Sequence, residues 1–231
     1  MSFILTNLLD IDNYLKSINN KELSFDSLKM IIEEAGKFAC DELDTINQVG
    51  DQEGIKLENG IVRMPESFIK AYKKFVNTGW FSIIGEKKYG GQDLPLSVVV
   101  MINEIWHSTN MSFATNNMLT QGAVELLESH GNEKQKEYYL PNLISGKWSG
   151  TMNLTEPHAG SDLSSIKTKA IEKDKQFLIR GTKIYITHGD QDMSDNIIHL
   201  VLARLPDAPE GNRGISLFLV PKYYDDENGN K

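Results

Sequence analysis

The stretch from Trp148 to Asp162 reads WSGTMNLTEPHAGSD and separates two halves of the chain with different hydrophobic patterns. Before it, apolar residues recur at spacings of three and four, as on one face of an α-helix. After it, short runs rich in β-branched residues are bounded by Gly, Pro and Asp, which is typical of strands. The 231-residue sequence therefore predicts an α+β protein, with a helical domain over residues 1–147 and a β-domain over residues 148–231.

The helices of the first half are predicted from their apolar stripes and caps. From Leu28 to Ile46 the apolar residues form one buried stripe, and Ser24 or Asp26 is suited to cap its start. Asn132 is suited to cap a helix that Gly146 ends. Further helices are predicted over PESFIKAYKKFVN (65–77), from about Pro95 to His107 and from about Phe113 to Ser129.

Three strands are predicted in the second half: QFLIRGTKIYIT (176–187), IIHLVLA (197–203) and GISLFLV (214–220). We expect them to form an antiparallel barrel or sandwich. The chain then runs through PKYYDDENGNK, where Asn228–Gly229 is a strong hairpin signal with no strand after it. We interpret the β-domain as incomplete, and a frayed polar tail is the alternative.

Composition excludes several functional classes. The formal net charge is −8, from 24 Lys and Arg against 32 Asp and Glu, and no basic run suggests binding to nucleic acid. The longest bare apolar run, Val98 to Ile102, is too short to span a bilayer. The single cysteine, Cys40, allows no internal disulfide, and the start lacks a basic targeting region, so we expect a cytoplasmic location. The histidines show no metal-ligand spacing, and no metal site is predicted.

Two segments contain residues suited to ligand binding. In TMNLTEPHAGSDLSS (151–165), Pro157 holds Glu156 extended, Thr155 offers a hydroxyl, and Gly160 permits close approach of the backbone to a ligand. The alternative is a well-made turn in which Ser161 or Asp162 caps the backbone.

In GTKIYIT (181–187), Tyr185 and Thr187 are expected on one face of a strand, because side chains alternate. A ring and a hydroxyl at this spacing could flank and hydrogen-bond an isoalloxazine, although Tyr–x–Thr is favoured in any strand.

The segments MNLTEPHAGSD (152–162), KTK (167–169) and GTKIYIT, with their spacing, resemble the flavin-binding core of the acyl-CoA dehydrogenase family. Upstream, EAGKFA (34–39), LENGIVRMPESF (57–68) and KYGGQDLP (88–95) resemble its helical domain. Downstream, residues 197–222 resemble its middle β-domain. The resemblance covers nearly the whole chain, and the nearest branch is the long one that includes methylthiopropanoyl-CoA dehydrogenases.

The resemblance implies an FAD site on named residues. Met152, Leu154 and Thr155 would line the flavin, with Thr155 near its pyrimidine edge. Tyr185, Ile186 and Thr187 would lie against the ring, with the Thr187 hydroxyl near N5. Ser161 would meet the cofactor phosphates and the pantetheine arm of the substrate.

Two positions depart from the family pattern. Tyr185 stands where many members have Trp, so we expect altered packing and retained binding. His158 stands where Gly is frequent, which alters the freedom of that loop.

The implied reaction is α,β-dehydrogenation of an acyl-CoA thioester, with hydride transfer to FAD and an electron-transfer flavoprotein or similar acceptor as partner. The family works in β-oxidation and forms homo-oligomers. Its base is a Glu of a C-terminal helical domain that this sequence does not contain, so we assign no catalytic residue and expect a fragment. The alternatives are an inactive remnant that binds flavin or CoA thioesters, an oxidase that passes electrons to oxygen, and a helical–β interaction protein without flavin.

Overall fold

The structure, a computed structural model, describes residues 3–18, 20, 22–174 and 176–224. Within these residues, seven α-helices precede the large sheet, and each of them buries apolar side chains. The predicted order, helices followed by strands, is confirmed. The helices are α1 Ile11–Ser17, α2 Phe25–Phe38, α3 Thr45–Glu53, α4 Glu66–Asn77, α5 Leu96–Thr109, α6 Met111–His130 and α7 Glu133–Ile144.

The helices α2 and α3 are joined without a break by a π-helical segment, Ala39–Asp44. The side chain of Ser24 accepts a hydrogen bond from the Ser27 N–H in a capping box, so the predicted cap is confirmed. The side-chain amide of Asn110, which caps α6, donates to the carbonyl oxygen of Leu43 in the π-helical segment at 3.0 Å. This bond satisfies a backbone carbonyl close to where the α-helical hydrogen-bond pattern changes to the π-helical one.

The core of the helical part is aromatic at its centre. Phe75 is fully buried and meets Phe38, Trp106 and Phe113 edge-on, with ring centroids 5.2–5.7 Å apart. Edge-to-face pairs of this kind add to the free energy gained by burying the rings. The packing therefore holds α2, α4, α5 and α6 against one another.

A short hairpin, with strands β1 Lys56–Glu58 and β2 Ile61–Arg63, interrupts the helical part. Asn59 and Gly60 form its turn with φ of 53° and 79°. Asn–Gly favours such turns because both residues tolerate positive φ. The prediction of an all-helical first domain was therefore incomplete, although the Asn–Gly signal was present in the sequence.

The five-stranded sheet is mixed, and the prediction of an antiparallel sheet was wrong in this respect. The central strand β6 pairs in parallel with β3 and antiparallel with β7, while β4 and β5 form an antiparallel pair that meets the end of β6. A parallel pair requires a long crossover, and residues 154–195 supply it. The strands are β3 Trp148–Asn153, β4 Lys169–Lys173, β5 Gln176–Arg180, β6 Asn196–Arg204 and β7 Ile215–Pro221.

The sheet packs on α6 through a close approach at Gly150. A Cβ on Gly150 would lie 2.5 Å from the Cβ of Ala123, and the Gly150 N–H donates to the hydroxyl of Thr120 at 3.1 Å. Glycine is therefore required where strand and helix touch. Elsewhere, Met64 donates its N–H to the carboxylate of Asp192 at 2.9 Å and so ties the hairpin to the crossover.

Two sequence predictions concern the chain's ends and apolar runs. The turn predicted at Asn228–Gly229 lies outside the described residues. Within the described ranges, no helix combines the length and apolar character needed to cross a bilayer.

Candidate functional site

The loop that leaves β3 turns back on itself within four residues. The N–H of Glu156 donates to the carbonyl oxygen of Ala159 at 2.9 Å, and the N–H of Ala159 donates to that of Glu156 at 3.0 Å. Pro157 lies inside this turn and restricts Glu156 to an extended conformation. Leu154 and Thr155 are left half-buried between the turn and the end of the sheet.

The carboxylate of Glu156 is the centre of a buried polar cluster. Its Oε1 accepts hydrogen bonds from the hydroxyl and the N–H of Thr168 at 2.5 and 3.0 Å, and its Oε2 accepts one from the N–H of Lys167 at 2.7 Å. The ammonium of Lys183 lies 2.9 Å from Oε1, and both side chains of this ion pair are buried. Burial alone would raise the pKa of Glu156, but these hydrogen bonds outweigh it and lower the pKa to about 2. Glu156 is therefore an ionised acceptor.

The segment Gly181 to Thr187 is not a strand, so the prediction that Tyr185 and Thr187 share one strand face was wrong. The strand β5 ends at Arg180, and a Cβ on Gly181 would lie 2.1 Å from the hydroxyl oxygen of Thr168. Tyr185 then adopts a left-handed conformation with φ of 55°, which breaks the alternation of side chains. Its side chain is 90 % exposed.

Backbone contacts nevertheless bring the two predicted segments together. The N–H of Ile184 donates to the carbonyl oxygen of Thr155 at 2.9 Å. The hydroxyl of Thr151, on β3, donates to the carbonyl oxygen of Thr187 at 2.8 Å. The loop after β3 and the segment after β5 therefore lie side by side. Convergence of the two hydroxyls of Thr155 and Thr187 on one ligand stays a prediction.

A largely apolar cavity of about 450 Å³ opens beside this junction. Ile186 and Thr187 lie on its wall, so two of the predicted residues line it directly. Its volume falls in the range of about 300–1,000 Å³ that is usual for small-molecule and cofactor sites. The other lining residues come from the hairpin region, α4, α6 and the crossover, and include Ile55, Val62, Met64, Phe68, Ser112, Thr115 and His188.

His188 connects the cavity wall to α6. It has a φ of 49°, and its Nε2 donates to the carbonyl oxygen of Ser112 at 2.9 Å, because a carbonyl only accepts. The hydroxyl of Thr115 lies 3.4 Å from the same nitrogen. Burial lowers the pKa of His188, and the bond to Ser112 opposes this only in part. The imidazole is therefore neutral near pH 7.

The remaining predicted residues lie around the junction. Met152 is half-buried at the end of β3. Ser161 is exposed, and the neighbouring Asp162 accepts a hydrogen bond from the N–H of Ser164 at 2.9 Å, as in a turn. This capping agrees with the alternative reading of the loop as a well-made turn. The contact of Ser161 with a ligand stays a prediction.

Three residues of the junction were not predicted: Glu156 as a charge centre, Lys183 as its partner and His188 as the link to α6. No local pattern marks the ion pair, because its members are 27 positions apart. Gly181 was a usable signal, since glycine after a strand indicates close approach of another backbone. Among the described residues, no group of three or more His, Cys, Asp or Glu side chains is arranged to hold a metal ion.

Two family models match the chain and together cover most of it. The N-terminal domain of acyl-CoA dehydrogenases matches residues 26–147, and the middle domain of acyl-CoA dehydrogenases matches residues 151–230.

Curated relatives match over nearly the whole chain. The 3-methylmercaptopropionyl-CoA dehydrogenase of Ruegeria pomeroyi is 48 % identical over 209 residues, which are 90 % of this chain and 36 % of the relative. A butyryl-CoA dehydrogenase of Syntrophomonas wolfei is 34 % identical over 99 % of this chain and 38 % of its own length. The chain thus spans little more than a third of the length of these relatives.

Solved structures match in fold. The acyl-CoA dehydrogenase of Geobacillus kaustophilus superimposes with a TM-score of 0.71 at 27 % identity, over 87 % of this chain and 49 % of that one. An FAD complex of PigA superimposes with a TM-score of 0.68 at 26 % identity, over 88 % and 49 % of the two chains.

Proposed function

Because the chain belongs to the acyl-CoA dehydrogenase family, we propose that it forms the flavin-facing part of an FAD-dependent enzyme that introduces an α,β double bond into an acyl-CoA thioester. The observation that supports this most directly is the junction of the two predicted segments. Ile184 is bonded to Thr155, Thr187 is held by Thr151, and the cavity opens beside them.

The residues at the junction fit a flavin. The cavity offers apolar walls for a flat ring and the exposed Thr187 at its edge, while the half-buried Thr155 lies on the adjoining loop, bonded through its carbonyl oxygen to the N–H of Ile184. We propose that Met152, Leu154 and Ile186 pack on the ring, and that the two threonines hydrogen-bond its polar edge. FAD, when bound, would supply the electron acceptor for the dehydrogenation.

The loop and the exposed aromatic residue have separate proposed roles. Tyr185 is free to cover the ring, because its side chain is almost entirely exposed. Ser161 is exposed in the turn before Leu163–Ser165, and we propose that its hydroxyl meets the cofactor phosphates or the pantetheine arm. The proposed role of this chain is therefore to orient the cofactor and the thioester and to exclude water from the flavin ring.

We propose a short acyl group as substrate, with 3-methylmercaptopropionyl-CoA as the first candidate and butyryl-CoA as the second. The activities after which the two relatives are named support this choice.

The domain boundary is proposed from the structure, and the location, pathway, electron acceptor and oligomeric state are proposed from membership of the family. We propose a domain boundary near residue 148, since α7 ends at Ile144 and β3 begins at Trp148. A cytoplasmic location, a role in β-oxidation, electron transfer to an electron-transfer flavoprotein and a homo-oligomeric state are further proposals. We assign no catalytic base within the described residues.

The test is titration of the purified chain with FAD, followed by flavin fluorescence and absorption. Thr187→Val should lower the affinity roughly three- to tenfold, the worth of one hydrogen bond, and shift the spectrum. Thr182→Val is the matched control, because Thr182 is an exposed threonine of the same segment that does not line the cavity. A chain that does not bind FAD, or equal effects of the two substitutions, would count against the proposal.

Turnover is tested separately with the bound flavin, an acyl-CoA and an electron-accepting dye. Bleaching of the dye with either candidate substrate supports a dehydrogenase activity in the chain itself. A yellow protein that bleaches no dye supports the binding-only alternative. Oxygen consumption without dye would identify an oxidase.

A further inference from the structure

We propose that Glu156 is a positioning residue of the flavin site, which acts through Lys183 to fix the distance between the two flavin-facing segments. This inference rests on the proposed function. Neither side chain lines the cavity, so the role differs from direct contact with the ring.

The ammonium of Lys183 bridges the two segments at their junction. It donates to the carbonyl oxygen of Leu154 at 2.9 Å and to Oε1 of Glu156 at 2.9 Å. Thr155 follows Leu154 and Ile184 follows Lys183, and these two residues are themselves joined by a backbone hydrogen bond. A shift of Lys183 would therefore move both segments relative to each other.

The carboxylate also fixes the far end of the loop. It accepts the N–H groups of Lys167 and Thr168, and His158 places its Nε2 3.4 Å from Oε2 and 3.1 Å from the carbonyl oxygen of Ser165. One carboxylate thus holds the start of the loop, its end and the segment after β5. The hydroxyl of Thr168, which bonds the same carboxylate, is also the group against which Gly181 packs.

A buried ion pair is a costly way to achieve stability alone. Desolvation of the two charges can exceed their attraction, and an apolar pair of similar size is often as stable. The side chains of Lys183 and Glu156 are 8 % and 2 % exposed, so this cost is present here. We infer that the pair is retained because its directional bonds specify the arrangement of the two segments.

Placement of this kind affects ligand binding without contact. A ligand binds more tightly to segments that are already held in the bound arrangement, because less conformational freedom is lost on association. Loss of the bridge should therefore weaken FAD binding and change the spectrum of the bound flavin, even where the fold is intact.

The experiment compares the full chain with Glu156→Gln, Lys183→Met and the double variant. Each single variant leaves one buried charge unpaired and risks unfolding. The double variant removes both charges and is the decisive one. FAD affinity and the flavin spectrum are measured with hydrogen exchange of the Ile184 N–H, which reports the junction without flavin.

If the inference is correct, the double variant keeps its circular dichroism spectrum, binds FAD about tenfold more weakly and exchanges the Ile184 N–H faster. The N–H of Gly131, bonded to the carbonyl oxygen of Leu127 at the end of α6, is an internal reference, because neither residue belongs to the two segments that the ion pair joins. Unchanged FAD affinity, or unchanged Ile184 protection, overturns the positioning role and leaves the proposed function standing. Absence of FAD binding by the unmodified chain overturns the proposed function, and the positioning role with it.

Discussion

The hydroxyl of Thr151 donates a hydrogen bond to the backbone carbonyl oxygen of Thr187 at 2.8 Å, from a side chain that is buried in β3. This bond joins the parallel pair of the sheet to the wall of the cavity. The position of Thr187 therefore depends on a residue that does not line the cavity.

We predict that Thr151→Val lowers the free energy of unfolding by about 1–3 kcal/mol, because the change removes the donor to the Thr187 carbonyl and keeps the volume. Urea unfolding measures the loss. Thr151→Ser is the control, since it keeps the hydroxyl and loses one methyl. If the valine variant is as stable as the unmodified chain, the bond has no structural role.

The buried side chain of Asn110 supports two helices at once, and its loss should be costly. Its Oδ1 accepts from the N–H of Phe113 at the start of α6, and its amide donates to Leu43 in the π-helical segment. We predict that Asn110→Ala lowers the free energy of unfolding by about 2–4 kcal/mol, as the sum of a lost cap and an unsatisfied buried carbonyl.

Asn132→Ala is the matched control for this prediction. Asn132 caps α7 in the same manner, with its Oδ1 3.0 Å from the N–H of Gln135, but it is exposed. Its loss should cost only about 1 kcal/mol. Equal losses in the two variants would show that the bond to Leu43 contributes nothing.

The sequence predicted those features of the fold that depend on near neighbours. The caps at Ser24 and Asn132 could be predicted because a capping side chain and the N–H that donates to it are three positions apart. The stripe from Leu28 to Ile46 predicted one helix, since helix faces repeat locally. The π-helical segment inside that helix could not be predicted from the local pattern, because Asn110, the residue that supports it, is 67 positions away.

The candidate site was predicted in part for the same reason. The pattern Ile184–x–Ile186 is typical of a strand. In the structure, however, Gly181 packs on Thr168, 13 positions away, and Tyr185 adopts a left-handed backbone conformation. The spacing of apolar residues indicates neither feature. The resemblance to a family placed the correct segments together despite this error. It did not reveal the ion pair of Glu156, because a pairing across the crossover has no periodic signal.

The pKa of Glu156, lowered to about 2 from an ordinary 4.5, makes the stability of the chain depend on pH. In the window between these values the unfolded chain binds a proton that the folded chain excludes. The contribution of Glu156 to the free energy of unfolding is therefore complete above about pH 4.5. As the pH falls towards 2 this contribution is lost, by an amount on the order of 2–3 kcal/mol.

The check is urea unfolding of the unmodified chain and of Glu156→Gln between pH 5 and 2.5. The other carboxylates titrate in both proteins, so the difference between the two slopes isolates Glu156. Parallel slopes would mean that Glu156 is not protected from protonation in the folded state.

The left-handed backbone of Tyr185 predicts opposite effects on stability and on flavin binding. Its φ of 55° is unfavourable for a residue with a side chain, and its exposed ring has little packing to lose. Tyr185→Gly should therefore raise the free energy of unfolding of the flavin-free chain by up to about 1 kcal/mol and weaken FAD binding.

Tyr185→Phe is the control, because it keeps both the backbone constraint and the ring. Its stability should stay within about 0.5 kcal/mol of the unmodified chain. Thermal unfolding without FAD, and a flavin titration, separate the two effects. A glycine variant that is less stable than the phenylalanine variant would contradict the strain argument.

Burial of His188 predicts a second loss of stability, at mildly acidic pH. Because burial lowers the pKa of His188 below its ordinary 6.5, the unfolded chain binds a proton first as the pH falls. The stability is therefore unaffected above about pH 6.5 and declines below it, until the folded imidazole also becomes protonated. The half-buried His199, whose pKa burial also lowers, contributes to the same window.

The measurement is urea unfolding between pH 7.5 and 5 for the unmodified chain, His188→Asn and His199→Asn. Asparagine tolerates the positive φ at position 188 and cannot titrate, so His188→Asn should flatten part of the decline. His199→Asn should remove a separate part, because His199 lies on β6, away from the bond of His188 to Ser112. If His188→Asn keeps the full decline, the imidazole of His188 is protonated as easily in the folded chain as in the unfolded chain. Its bond to Ser112 then does not depend on the neutral form.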